Sequence, residues 1–449
     1  MHLHSSTPVW RIALALLSGL LPALAAPPLQ ARPPLPFEAP HQHIGVATCA
    51  GSNCHGSQRP FDDSAVLQNE YFLWQREDAH SNAYKLLLTA NGKRIAQNLG
   101  IKDAASAAEC LTCHTDYVDS SLRGRRYAMS EGVGCEACHG GAQQWLGPHV
   151  SGNTHAQNIE QGLYPLENPL ARARLCLNCH MGTKDKPIDH RIMGAGHPPL
   201  EFELDTFTNI QPAHFRVDSD YRQRKPAYAT GAQTWVIGQL VAAETFLDGL
   251  GSPRLSQRGL FPELVFFDCN ACHHAPQNRR WNPGVADALG PGEVRLADAY
   301  LTMTGVILGI LQPQAGARWN AALAQLHRAS QQSMSQIRDA AQKLKDIVQA
   351  ELVPLSQQSI DKAQATALLQ RLAQLGIDGK AGDYTTAKQI YYGADALVAS
   401  LRLNHGVNGQ PFEKPLDDLF SAVDAVQNYN PDALRSAAQK LRTVAQTLR

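Results

Sequence analysis

The chain has 449 residues, with 40 basic and 40 acidic side chains, so its formal net charge at neutral pH is zero. A balanced chain carries no overall electrostatic footprint for nucleic acid or for an anionic membrane surface. The length suits two or three domains, and past residue 25 no stretch is apolar for long enough to span a bilayer.

At the N-terminus, Arg11 precedes an apolar run from Ile12 to Leu24, closed by the small-x-small site Ala23-Leu24-Ala25. This layout predicts a secretory signal peptide over residues 1–25, cleaved after Ala25, and hence a periplasmic protein. The run is short for a membrane anchor and contains Pro22, and no Cys lies near the cut to carry a lipid. Residues 26–44 hold six prolines and read as an extended leader.

Residues 45–290 contain all ten cysteines. Four pairs have the form Cys-x-x-Cys-His: Cys110–Cys113–His114, Cys135–Cys138–His139, Cys176–Cys179–His180 and Cys269–Cys272–His273. The remaining pair, Cys49–Cys54–His55, has four residues between its cysteines. No cysteine is left over, and each pair ends in His. Disulfides need no His after every second Cys. Zinc would pair half-sites and needs no fixed His, and a thioredoxin-like motif would occur once, in a βαβ setting. Ten Cys and 18 His in this length give roughly 0.01 such strings by chance, against four found. The pattern is that of covalent haem attachment. Two nearby thiols add to the two vinyl groups of one porphyrin, and the adjacent imidazole ligates the iron. The expectation is five covalently bound haems c, or four if Cys49 and Cys54 form a disulfide.

Between the motifs lie short helical pieces and many Gly, Pro, Asn and Asp, which suits a region whose apolar core is largely porphyrin. Trp235 to Leu250 is amphipathic and reads as a helix packing on that core. After about Gly290 the cysteines stop and Ala, Leu and Gln rise. Helices are predicted at Val294–Leu311, Ala317–Leu352, Ile360–Leu375, Tyr384–Leu403, Leu416–Asn428 and Pro431–Leu448, with breaks at Pro313 and Pro354 and a stop at Gly376. Asn430-Pro431 reads as an N-cap followed by Pro at the first helical position. The fold class is thus mainly α: a multihaem cytochrome c domain with little regular secondary structure over 45–290, followed by a C-terminal helical bundle over 291–449.

The sixth coordination position of each iron decides its chemistry: a second His makes an electron carrier, Met raises the potential, and an open site binds a small molecule. Nine further histidines lie in or just before the haem region: His41, His43, His80, His149, His155, His190, His197, His214 and His274. Five distal ligands are needed at most, so the supply favours bis-His ligation. Met129, Met181 and Met193 are more often packing residues, and His327 and His405, alone in the bundle, read as ordinary histidines.

One run of motifs resembles a known family. Trp74 is followed by His80-Ser-Asn-Ala-Tyr84, then the Cys110 motif, then Gly132-Val-Gly-Cys-Glu-Ala-Cys-His-Gly-Gly141, then Gly147-Pro-His149, then the Cys176 motif. Over roughly Val46 to His197 this is similar to the cytochrome c-554 family of tetrahaem electron carriers, which accept electrons from hydroxylamine oxidoreductase. The resemblance implies stacked haem pairs with distal His from distant segments. By it, His80 ligates the haem of the Cys135 motif, His149 that of the Cys49 motif and His197 that of the Cys176 motif, and the haem on Cys110–Cys113 is five-coordinate. The longer first loop, the fifth motif and the helical C-terminal region depart from the family, so its specific partner does not carry over.

Three functions follow as expectations. The first is electron transfer between redox partner proteins, with no catalytic residues. The second is oxidation or reduction of a small nitrogen or sulfur compound at a five-coordinate haem, with Arg123, Arg125, Arg126 and Tyr127 as candidates to bind it. The third is a structural subunit docked through the helical region.

Overall fold

Ala- and Leu-rich sequence with few β-branched residues favours helix, and helix is nearly all the regular structure of this chain. The structure is a computed structural model that describes residues 32–61, 67–213, 231–256, 263–273, 293, 295–379 and 383–448. The expected signal peptide, His214 and His274 lie outside these residues. Pro34–Arg449 forms one compact unit. Among the described residues the only β pairing is two isolated bridges, His43 with Arg123 and Phe267 with Leu296. No described helix is long and apolar enough to cross a membrane.

The C-terminal helices run Ala299–Leu311, Pro313–Ala329, Met334–Gln357, Lys362–Ile377, Tyr384–His405, Gln410–Val423 and Pro431–Ala445. The single helix expected over Ala317–Leu352 is two, because Ser333 starts a new one by accepting the amide of Gln336 at 3.3 Å. Pro354 does not end that helix. It falls in the last turn, where losing one ladder bond and bending slightly are tolerated. Gly376 is not a stop either. A Cβ there would lie 2.9 Å from that of Ala438, so it is a close crossing of two helices, and the left-handed residue that follows the helix is Gly379 at φ +68°. Asn430 caps as expected, its Oδ1 accepting the amides of Asp432 at 3.0 Å and Ala433 at 3.2 Å.

Helix Ala232–Gly251 has Trp235, Ile237, Leu240, Ala243 and Leu250 fully buried. It packs on Met334–Gln357 and on Pro169–His180, which carries the Cys176 motif, so it joins the bundle to the haem-motif region instead of lying on the latter alone. Arg172 of the motif helix donates to Thr234 at 3.1 Å across this contact.

The region of the cysteine motifs is built of short helices, most of them under ten residues. Its own side-chain cores are small: Leu87, Ala96, Ala104 and Leu111 in one, and Leu35, Tyr164 and Ala171 in another. So little buried area stabilises a chain this long only weakly, which fits a region completed by bulky apolar groups. The Pro-rich leader is not simply extended. Leu35 is fully buried beside Tyr164 and Ala171, and His43 is fully buried as well.

Candidate functional site

Residues three and four apart on a helix share a face. Ala108–His114, Cys135–His139 and Pro169–His180 each place two thiols and the following imidazole on one side of a helical turn. The fifth motif sits on Cys269–Cys272, started by Asp268, which accepts the Asn270 amide at 3.0 Å. The longer first motif reaches the same end by folding its extra residues into turns. Cys54 N donates to Gly51 O at 2.9 Å and His55 N to Cys49 O at 3.1 Å, so His55 returns to Cys49. No two of the ten cysteines are joined as a disulfide, and those of the fifth motif are exposed.

Four motif imidazoles meet a second imidazole from elsewhere in the chain. Ring centres are 6.3 Å apart for His55 and His149, 6.5 Å for His114 and His197, 6.3 Å for His273 and His190, and 5.8 Å for His180 and His80. Two imidazole nitrogens each about 2 Å from a shared metal put ring centres roughly 6 Å apart, so each pair has the spacing of an axial ligand set. His139, in the remaining motif, takes the Tyr164 amide on its carbonyl at 2.9 Å.

Hydrogen bonding selects the metal-facing nitrogen. Nδ1 of His55 is bonded to Glu70 at 3.0 Å, that of His80 to Asp78 at 2.8 Å, that of His114 to Ala83 O at 2.9 Å and that of His197 to Pro198 O at 2.8 Å. Each leaves Nε2 for a metal. Burial lowers the pKa of His114, His149 and His180, which favours the neutral, ligating imidazole, whereas the hydrogen bonds to Glu70 and Asp78 raise those of His55 and His80. The sulfurs approach across motifs too. Cys49 lies beside Cys135 and Cys113 beside Cys179, which brings the first motif to the third and the second to the fourth.

Residues 48–140 match the sequence family of cytochrome c554 and c-prime. Over that stretch the chain is cytochrome c-554-like. The matched span opens just before Cys49 and closes just after His139, so it takes in three motifs, the longer first one among them. Neither the curated proteins nor the solved structures give a match to this chain. The c-554-like unit is a c-type cytochrome: it holds haem c covalently and works in electron transfer. Helical turns that align two thiols with an imidazole, imidazole pairs at metal-bridging distance and thin side-chain cores all fit that cofactor.

The pairing differs from what the family resemblance implied. His149 meets His55 of the Cys49 motif, the motif the resemblance assigns it to. His80, however, meets His180 of the Cys176 motif, and His197 meets His114 of the Cys110 motif, the one expected to be open. His190, passed over in the sequence for His197, meets His273. The chain's course explains this: His190 and His197 bracket one short helix, His190–Gly194, tied to the second motif by the ion pair of Arg191 with Glu109.

Other histidines are spent on the protein. His43 bonds Asp116 at 2.8 Å and Pro36 O at 3.3 Å through its two nitrogens, His155 Nε2 bonds Glu167 at 2.8 Å, and His327 Nε2 bonds Asp298 at 2.8 Å. His41 lies against Gly162. Met129 packs in the small core beside Cys110, and Met181 packs against the main core. Arg123 donates to Val118 O at 3.0 and 2.9 Å, and Tyr127 to Asp116 O, so both are engaged within their own loop. Arg125 and Arg126 are exposed.

The family-like string around the third motif has a structural cause at two positions. Gly132, at φ +75°, lets the chain approach His80, whose carbonyl would lie 2.7 Å from a Cβ there. Glu136 clamps the leader, accepting the amides of Ile44 at 2.8 Å, Gly45 at 2.7 Å and Ala142 at 2.7 Å. Nothing in the sequence singled out Glu70 or Asp78, since acids at such spacings are ordinary on a soluble surface.

Proposed function

We propose that this chain is an exported electron carrier with five covalently bound haems, one on each cysteine pair. The observation that carries the reading is the meeting of four motif imidazoles with four others, at distances that suit one metal between each pair. Haem held between two imidazoles supplies one-electron chemistry with no open position for a substrate. The chain's residues do the rest: thiols tether, imidazoles ligate, and buried side chains keep water out. Donor and acceptor are redox partner proteins. A periplasmic location is supported by Arg11, the apolar run and the Ala23-Leu24-Ala25 site. The alternative, a small nitrogen or sulfur compound bound at an open haem on Cys110–Cys113, is disfavoured by His197 beside His114.

Intact mass of the matured protein, counted in haem units, tests this. Five units are expected, and four in the double variant Cys49→Ala/Cys54→Ala. An equal count in both would remove the first motif from the haem set. The visible spectrum tests ligation: His197→Ala should keep the haem count and gain a high-spin fraction that binds carbon monoxide. A wild-type protein that already binds it at the Cys110 haem would overturn the carrier reading in favour of the open site.

A further inference from the structure

Helix Glu70–Glu77 is short and buries none of its residues, yet its two ends bear on two of the paired histidines. At its first position, Glu70 Oε2 accepts Nδ1–H of His55 at 3.0 Å. Just past its last residue, Asp78 Oδ1 accepts Nδ1–H of His80 at 2.8 Å, and Oδ2 accepts the Gln211 amide at 3.0 Å. Between them Trp74 Nε1 donates to Val133 O at 3.0 Å, in the string that leads to Cys135. Both carboxylates are largely sheltered, with side chains 13% and 6% exposed, so solvent screens them little.

The acceptors at Nδ1 therefore divide into two kinds. His55 and His80 face carboxylates, whereas His114 and His197 face neutral backbone carbonyls. A carboxylate draws the Nδ1 proton more strongly, which makes the other nitrogen a better donor to iron and stabilises the oxidised metal.

We infer that Glu70 and Asp78, at the two ends of one helix, are positioning residues that lower the potentials of the Cys49–Cys54 haem and the Cys176–Cys179 haem below that of the Cys110–Cys113 haem. The inference rests on the ligation proposed above. It gives the carrier two haems held low by acidic partners and one left higher by neutral ones.

The test is an EPR-monitored redox titration of the full, haem-loaded protein at one pH. His149→Ala, which turns the Cys49 haem high-spin, identifies that haem's signal, and His80→Ala does the same for the Cys176 haem. Glu70→Gln should favour reduction of the Cys49 haem by about tenfold, which is about 59 mV for one electron. The other haems should hardly move. Asp78→Asn should do the same for the Cys176 haem alone, and Glu70→Asp, which keeps the charge, should stay near the wild-type value. Unmoved potentials in a fully loaded, low-spin protein would overturn the inference, and so would a shift spread evenly over all haems. Failure of the ligation reading shows separately, as missing haem units in the wild-type mass or as a high-spin content that His149→Ala and His80→Ala leave unchanged.

Discussion

A histidine is prepared for a metal when one ring nitrogen is already engaged and a second imidazole lies at metal-bridging distance. His55, His80, His114 and His197 meet both conditions, whereas His43, His155 and His327 have Nε2 committed to protein acceptors. The sequence holds the same side chain in all seven places, so ligand and structural histidines separate only through their neighbours. Buried carboxylates near the haem region behave likewise. Glu203 is 1% exposed, and burial pushes its pKa up to about 7 although the amides of Asp205 and Thr206 donate to it. An ordinary Glu releases its proton near pH 4.5. Between that pH and about 7 the folded chain holds a proton that the unfolded chain has lost, so this group's contribution to stability falls as pH rises through the window. Glu203→Gln removes that slope. The expected outcome is a thermal midpoint, followed by far-UV circular dichroism, that gains on the wild type more at pH 8 than at pH 5. An equal difference at both would mean that the carboxyl ionises normally in the fold.

Among the elements, the helix starts at Tyr384 and Pro431 were legible, whereas those at Ala299, Met334 and Gln410 were not. Asn430-Pro431 announces itself because a side-chain cap and a missing N–H are local properties. Gly376 misled because a glycine that stops a helix and one that admits a neighbouring helix look alike in one dimension. Gly393 is of the second kind. A Cβ there would meet Leu372 Cδ1 and the Trp235 ring at 2.8 Å, at the crossing of Tyr384–His405 with Ala232–Gly251. Ala exceeds Gly in helix propensity by about 1 kcal/mol, yet Gly393→Ala should destabilise by about 1–3 kcal/mol through overpacking. The shift of the denaturant midpoint decides the matter: a gain in stability would show that the crossing has room.

At the scale of the whole molecule, two kinds of core share one compact unit. The bundle and helix Ala232–Gly251 are held by a continuous apolar cluster that reaches Leu177 on the Cys176-motif helix. The motif region has little side-chain core and depends on cofactor surface and on clamps such as Glu136. Because Pro169–His180 belongs to both, ligation and helix packing should fail together. Soret absorbance and far-UV dichroism are expected to lose their signals at the same temperature. Separate midpoints would show that the bundle stands without the haem region.

Tethering was readable from the chain alone, because two thiols and an imidazole that must grip one porphyrin have to be close in sequence. The same locality exposed the helical character of the C-terminal region, through composition and period. Which imidazole faces which was decided only in three dimensions. His55 with His149, His180 with His80 and Glu136 with Ile44 are brought together from distant segments by packing and by backbone approaches such as that at Gly132. Axial pairing and its carboxylate support are long-range properties, and no local pattern of residues encodes them.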